Sequence, residues 1–356
     1  MLSNFLLRSF RILLFPFALL YGTGVIIRNW LYNKKIFKSA SFNMPLICVG
    51  NLAVGGTGKS PMVEFLVNRL KTKYPLAILS RGYRRKTKGY ILASPGTTAN
   101  EIGDEPFMIY SKHPDVPVAV GEERVSAIPM LLHDRPQTKA IILDDAFQHR
   151  EVMAGLNILL TDFSNLYTRD FFLPTGDLRD SRGSAKRAQI IIVTKCPPGL
   201  DEAAREQVKQ SLSPEKEQEL YFTAIGYYTP YHIITGEKKP LTAEMEALLV
   251  TGIARPQAVK NYLAAELHSY NCLTYRDHHI FDIDDLRQIK KEFESFSGRE
   301  AIILTTEKDA VRLIKFGREL DGLPLYVLPI EVKVLFGEEQ KLVTRVTSFI
   351  NSFEQP

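Results

Sequence analysis

The run Asn51-Leu52-Ala53-Val54-Gly55-Gly56-Thr57-Gly58-Lys59-Ser60-Pro61 combines the residue types that bind a nucleoside triphosphate. Glycines let successive backbone N–H groups curl around phosphate oxygens, and a helix beginning there adds its positive end. Lys59 then reaches the β- and γ-phosphates and Ser60 offers a hydroxyl to Mg2+. Pro61 suits an early helical position, where its missing N–H costs little. The nucleotide-binding candidates are Asn51, Val54, Gly55, Gly56, Thr57, Gly58, Lys59, Ser60 and Pro61. One residue departs from the strict phosphate-loop pattern: Ala53 stands where a glycine is standard. A glycine-rich turn that holds no phosphate is the plain alternative.

Two acidic pairs could complete such a site. Ala140-Ile141-Ile142-Leu143-Asp144-Asp145 reads as a buried strand ending in two carboxylates, the placement that holds Mg2+ beside a phosphate loop. Strand-end aspartates that only cap a helix would look the same. The second pair, Asp104-Glu105, precedes a helical stretch, where acids are favoured by the helix dipole whether or not they do chemistry.

Positioning these groups requires a sheet. Short apolar, β-branched runs (Leu46–Gly50, Leu76–Ser80, Val118–Gly121, Ala140–Asp144, Leu156–Thr161, Ile190–Lys195) alternate with helical segments, which predicts a doubly wound, mostly parallel α/β sheet with helices on both faces. In the stretch Met62 to Lys71, Met62, Phe65, Leu66 and Leu70 fall on one helical face and are expected to cover that sheet. Residues 219–240 hold two strand-like runs around Thr229-Pro230 and are read as a hairpin linker. Alternation resumes beyond it, so 39–218 is expected to be the phosphate-binding domain and 241–356 a smaller α/β domain.

Residues 1–38 differ from the rest. They carry six basic residues and no acidic one, and removing these six from the 45 Lys and Arg of the chain leaves 39 against 40 Asp and Glu. The positive charge is thus confined to one end, around an apolar run from Ile12 to Ile27 that is broken by Pro16, Gly22 and Gly24. That placement fits an anionic membrane surface and no nucleic-acid partner. The run is short for a span, which needs about 20 apolar residues, so an interfacial anchor is expected, with a buried helix as the alternative. A signal peptide begins similarly, but no small-x-small cleavage site follows, and export would strand an ATP site outside the cell. Cys48, Cys196 and Cys272 lack the paired spacing of a zinc site or disulfide framework and read as reduced thiols.

Several separated runs together resemble the tetraacyldisaccharide 4′-kinases, the lipid A 4′-kinases. They are Val49-Gly50-Asn51 through Pro61, Ser80-Arg81-Gly82-Tyr83, Gly103-Asp104-Glu105-Pro106 and Asp144-Asp145-Ala146-Phe147-Gln148-His149. They continue with Leu173-Pro174-Thr175-Gly176-Asp177-Leu178-Arg179, Asp277-His278-His279 and Thr306-Glu307-Lys308-Asp309-Ala310. Two positions depart from the family's pattern, Ala146 for glycine and Asp180 for the longer acid.

The resemblance implies transfer of the ATP γ-phosphoryl group to the 4′-hydroxyl of an acylated disaccharide 1-phosphate, at the cytoplasmic face of a bacterial inner membrane. It implies Asp104 as the base, with His278 orienting it and His279 a rival for that role. Ser60, Asp144, Asp145 and Glu105 are implied for Mg2+, and Arg179 for the transferring phosphate. Arg124, His149, Gln148 and Tyr83 are implied as substrate contacts. Protein partners are not legible. A GTP-driven switch or metal-insertion chaperone would share a phosphate loop. Guanine specificity, however, asks for Asn-Lys-x-Asp where this chain has Thr194-Lys195-Cys196-Pro197.

Overall fold

The computed structural model describes residues 11–254, 256–277, 279–296 and 300–353. Its first helix, α1 (Phe15–Asn33), starts with Pro16 in its first turn and buries Ala18, Gly22, Asn29 and Tyr32 along one stripe. Then follow β1 (Leu46–Asn51), α2 (Lys59–Leu70), β2 (Leu76–Ser80), β3 (Ile91–Leu92), α3 (Ala99–Ile102), α4 (Asp104–Lys112), β4 (Val118–Val120) and α5 (Arg124–Asp134). Next come β5 (Ala140–Asp144), β6 (Leu156–Asp162), β7 (Ile190–Thr194), α6 (Glu202–Leu212), β8 (Glu219–Tyr227) and β9 (Tyr231–His232). The remainder is β10 (Glu246–Thr251), α7 (Gln257–Glu266), β11 (Ser269–Thr274), α8 (Ile283–Phe293), β12 (Ala301–Thr306), α9 (Glu307–Leu313), β13 (Leu325–Leu328), β14 (Ile330–Val334) and α10 (Glu339–Asn351).

Two sheets form. The large one has nine strands in the order β14-β8-β7-β6-β1-β5-β2-β4-β3, and the smaller has five in the order β11-β10-β12-β13-β9. Pairing in the large sheet is parallel except at its ends, where β3 runs against β4 and β14 against β8. The expected mostly parallel sheet and the smaller α/β unit are both present.

Alternation within each strand supplies both faces of the core. Ile47, Val49 and Ile142 face Met62, Phe65, Leu66 and Leu70 of α2, while Leu46, Cys48, Ile141 and Leu143 lie opposite, with Ala127, Ile128 and Leu131 of α5. Burying each such Leu or Ile is worth roughly 1.5–3 kcal/mol, which holds β1 and β5 rigidly in the middle of the sheet.

Residues 219–240 do not form the expected hairpin. β8 pairs in parallel with β7, and its Tyr221 to Ala224 are buried on both faces, as an interior strand requires. β9 instead pairs with β13 in the small sheet. The C-terminal residues expected in the smaller unit also return to the large one. β14 pairs with β8, and Leu342, Val343, Val346 and Ile350 of α10 pack into the same core as α2.

β1 lies between β5 and β6: the chain runs from β1 to β2 on the β5 side and later crosses from β5 to β6 on the other, so the strand order reverses there. Crevices for ligands open at such a point, beyond the carboxyl ends of parallel strands. The loop after β1 and the Asp144-Asp145 pair at the end of β5 both stand there, with Val49 in register with Asp144.

Candidate active site

The phosphate loop is built as its residue types demand. Gly55 (φ +102°) and Gly58 (φ +84°) take left-handed backbone, and Gly58 stands in the cap position of α2. Ala53 forms a bridge to Leu178, and Val54 N–H donates to the Asp177 carbonyl at 2.7 Å. No left-handed turn is needed at Ala53, which accounts for the missing glycine.

That bridge brings in a segment from far along the chain. Arg179 N–H donates to the Leu52 carbonyl at 2.8 Å, and the guanidinium turns inward. It donates to Asn51 Oδ1 at 2.6 Å, to Asp145 Oδ2 at 3.1 Å, and also to Asp145 Oδ1. Lys59 Nζ donates to the same Asn51 oxygen at 3.3 Å and lies 3.8 Å from Asp145 Oδ1. Two cations from separate segments therefore converge on one asparagine oxygen and one carboxylate. Asp145 itself takes left-handed backbone (φ +50°), strain that aspartate tolerates and that recurs at functional sites.

Asp144 is buried and in a different state. Ser80 donates to its Oδ2 at 3.0 Å, while Oδ1 is buried without a hydrogen-bond partner. Burial, with Glu105 and Asp145 close by, pushes its carboxyl up to about 7 against the pull of Lys59. Asp145 goes the other way: burial raises it, but Lys59 and Arg179 more than offset that and hold it below the usual carboxylate range. The same balance applies to Glu105, which burial raises and Lys308, then Lys59, bring down.

Among the described residues no three His, Cys, Asp or Glu side chains form a metal site of their own. Mg2+ beside phosphates asks for less, one or two carboxylates with the remaining oxygens from phosphate and water. The unpartnered Oδ1 of Asp144 fits that need. Asp145 is engaged by Arg179 and Lys59, and Glu105 receives Lys308 at 2.5 Å.

Arg124 is almost wholly enclosed, 1% exposed. It donates to the Gly121 and Glu122 carbonyls, its Nε and Nη2 have no partner, and burial brings its pKa down to about 10. Donors left without a partner on a buried guanidinium are costly, so these two atoms of Arg124 are open to a ligand's acceptor. Gln148 donates to the Asn51 carbonyl at 2.7 Å, and burial with Arg124 and Arg81 nearby lowers His149 to about 4. Tyr83 is exposed, with Arg84 over its ring.

Asp104 and Glu105 form the first turn of α4 and meet α9 of the second sheet: Arg312 donates to Asp104 at 2.7 Å. Residue-type reading missed Arg312 and Lys308, although the Thr306 to Ala310 run had already stood out. His278 lies outside the described residues. His279 Nε2 donates to Asp285 Oδ2 at 2.7 Å, and the ring stacks on Tyr275, within its own unit.

A sequence model of the family described as Tetraacyldisaccharide-1-P 4'-kinase matches residues 10–351. The chain belongs to the tetraacyldisaccharide 4′-kinase family. A Tetraacyldisaccharide 4'-kinase of Flavobacterium johnsoniae is 44% identical over 97% of this chain and 99% of its own length. One from Bacteroides fragilis is 42% identical over 95% and 92% respectively. Among solved structures, "apo" form LpxK from Aquifex aeolicus in complex with ATP is similar with a TM-score of 0.74 at 27% identity, covering 96% of this chain and 99% of that one. Within this family a GTP-driven switch or metal-insertion chaperone is not favoured.

Proposed function

We infer that this chain transfers the γ-phosphoryl group of ATP to the 4′-hydroxyl of a tetraacyldisaccharide 1-phosphate, giving the 1,4′-bisphosphate of a lipid A precursor. The observation that carries the reading is the convergence of Lys59 and Arg179 on Asn51 and Asp145 at the mouth of the phosphate loop. Phosphoryl transfer asks a protein for positioning and for neutralised charge, and two cations supply the second.

In this reading the loop amides and Lys59 hold the β- and γ-phosphates, and Arg179 neutralises charge on the group in transit. Mg2+, held by Ser60 and Asp144 with Asp145 and Glu105 as further candidates, would supply Lewis-acid neutralisation of the phosphates. Asp104 takes the proton of the attacking hydroxyl, with His278 as its orienting partner. Arg124 receives the acceptor's phosphate, and Gln148, His149 and Tyr83 line the way to the acceptor.

An acylated sugar stays in its bilayer, and α1 suits that. Among the described residues no helix is long and apolar enough to cross a membrane. Yet Phe17, Leu20, Ile27 and Trp30 are exposed on α1, and Leu13 just before it, an apolar face with Arg11 preceding the helix and Arg28 on it. Such a face lies in a membrane interface. Its other face holds the site: Tyr21 donates to the Arg179 carbonyl at 3.1 Å, and Asn29 to Asp180 at 2.7 Å. We place the enzyme on the cytoplasmic surface of the inner membrane, where ATP is available.

The test is direct. Purified protein is incubated with radiolabelled ATP, Mg2+ and detergent-dispersed tetraacyldisaccharide 1-phosphate. Label is expected in a bisphosphorylated lipid, and folded protein that leaves the lipid unlabelled refutes the reading.

A further inference from the structure

We propose that Arg312, on a helix of the second sheet, is a positioning residue that sets the carboxylate of Asp104 for its work on the acceptor hydroxyl. The proposal rests on the reading of Asp104 as the proton acceptor.

Two donors of one guanidinium meet one oxygen: Nη2 and Nε of Arg312 lie 2.7 and 3.1 Å from Asp104 Oδ2. The third direction of the fork is also taken, Nη1 donating to Asp309 Oδ1 at 3.3 Å. Asp309 is fully buried and anchored in turn, accepting from Thr306 Oγ1 at 2.7 Å, the Gly252 N–H at 3.0 Å and Thr251 Oγ1 at 3.4 Å. An unbroken series of hydrogen bonds therefore runs from the end of β10 through Asp309 and Arg312 to Asp104. The Arg312 side chain is only 9% exposed, so its rotamer is held by both carboxylates together.

Asp104 needs such a partner. It is the first residue of α4, and the cap position before it is Gly103, which has no side chain to hold the helix start. A carboxylate there is drawn by the helix dipole toward its own backbone amides. Arg312 pulls Asp104 Oδ2 toward the second sheet instead. The neighbouring pair works in parallel, Lys308 meeting Glu105 at 2.5 Å, and Glu307 meets Lys112 at the far end of α4. All three contacts come from α9, so the second sheet governs where the acidic turn of α4 points. A fork with fixed geometry is suited to orienting a carboxylate, which a flexible lysine is not.

The experiment compares full-length wild type, Arg312→Met, Arg312→Lys, Asp104→Asn and the Arg312→Met/Asp104→Asn double variant. Lipid phosphorylation is measured at varied lipid and ATP, with nucleotide binding and thermal melting as folding controls. Arg312→Met is expected to lower kcat about 100-fold while the lipid KM and ATP affinity stay within about threefold, and Arg312→Lys to recover about tenfold of that loss. In the Asp104→Asn background, adding Arg312→Met is expected to cost less than about threefold, because the residue acts through Asp104. Overturning results are a kcat for Arg312→Met within about threefold of wild type, a loss that sits in KM, or an equal loss in the Asp104→Asn background. If Arg312→Met does not fold, Arg312→Lys carries the test, and wild-type kcat in that variant refutes the proposal. An inactive Asp104→Asn beside an active Arg312→Met sinks the positioning role alone. An active Asp104→Asn sinks the base reading and this proposal with it.

Discussion

Asp145 is held by Arg179 through both carboxylate oxygens while Lys59 stands 3.8 Å from one of them. The carboxylate occupies the neighbourhood of two cations that a triphosphate would also claim. Without metal it must therefore compete with the phosphates for the same charge.

Removing that competitor has an expected sign. In EDTA, Asp145→Asn should bind ATP more tightly than wild type by roughly tenfold, as a repulsion of about 1.4 kcal/mol in a partly solvated cleft is relieved. The gain should shrink with added salt. Equilibrium binding of a fluorescent ATP analogue reads it directly, and weaker metal-free binding by the variant would contradict the arrangement.

Asp144→Asn keeps shape and removes charge at the one buried carboxylate oxygen of this pair that has no partner. The Mg2+ concentration for half-maximal transfer should rise by at least about tenfold, with metal-free ATP binding within about threefold. A Mg2+ titration of phosphoryl transfer decides it, since an unchanged half-saturation would remove Asp144 from the metal site.

Lys112 bridges Glu64 of α2 and Glu307 of α9, so one cation serves two carboxylates where the two sheets meet. Burial and then Glu307 push Glu64 up to about 7 from its ordinary 4.5. Between those values the folded protein binds more protons than the unfolded chain, so this group's contribution falls as pH rises through that window. Measured from pH 5 to 8, the melting temperature of wild type should therefore lose ground to Glu64→Gln, by an amount on the order of 2–4 °C. A constant gap between the two across that range would show that Glu64 does not titrate there.

On α1, Leu20 is 72% exposed on the face away from the site. Leu20→Asp should leave melting unchanged and weaken co-sedimentation with anionic vesicles by about tenfold or more, since a buried leucine is worth roughly 1.5–3 kcal/mol. Transfer to lipid presented in vesicles should fall in step, while transfer to detergent-dispersed lipid should hold. Equal vesicle binding by both proteins would separate α1 from the membrane.

The described strands and the site at their carboxyl ends depend on different kinds of information. Backbone chemistry is local, so the phosphate loop was legible residue by residue: glycines where φ turns positive, Lys59 at the start of α2, Asp144 closing a strand of buried residues. Apolar alternation likewise marked the central strands, because burial on both faces leaves a continuous apolar run. Pairing is not local. Nothing in the composition of residues 219–240 says that β8 and β9 enter different sheets, or that β14 returns to the large one.

By itself, then, the amino-acid order determined which groups can bind phosphate and which segments must be strands, since both depend on near neighbours in the chain. Only the tertiary structure decided that Arg179 meets Asn51 across 128 residues and that Arg312 meets Asp104 across 208. Ion pairs at such separations depend on how two sheets pack, and an arginine on a short helix looks the same in sequence whether it faces water or a carboxylate.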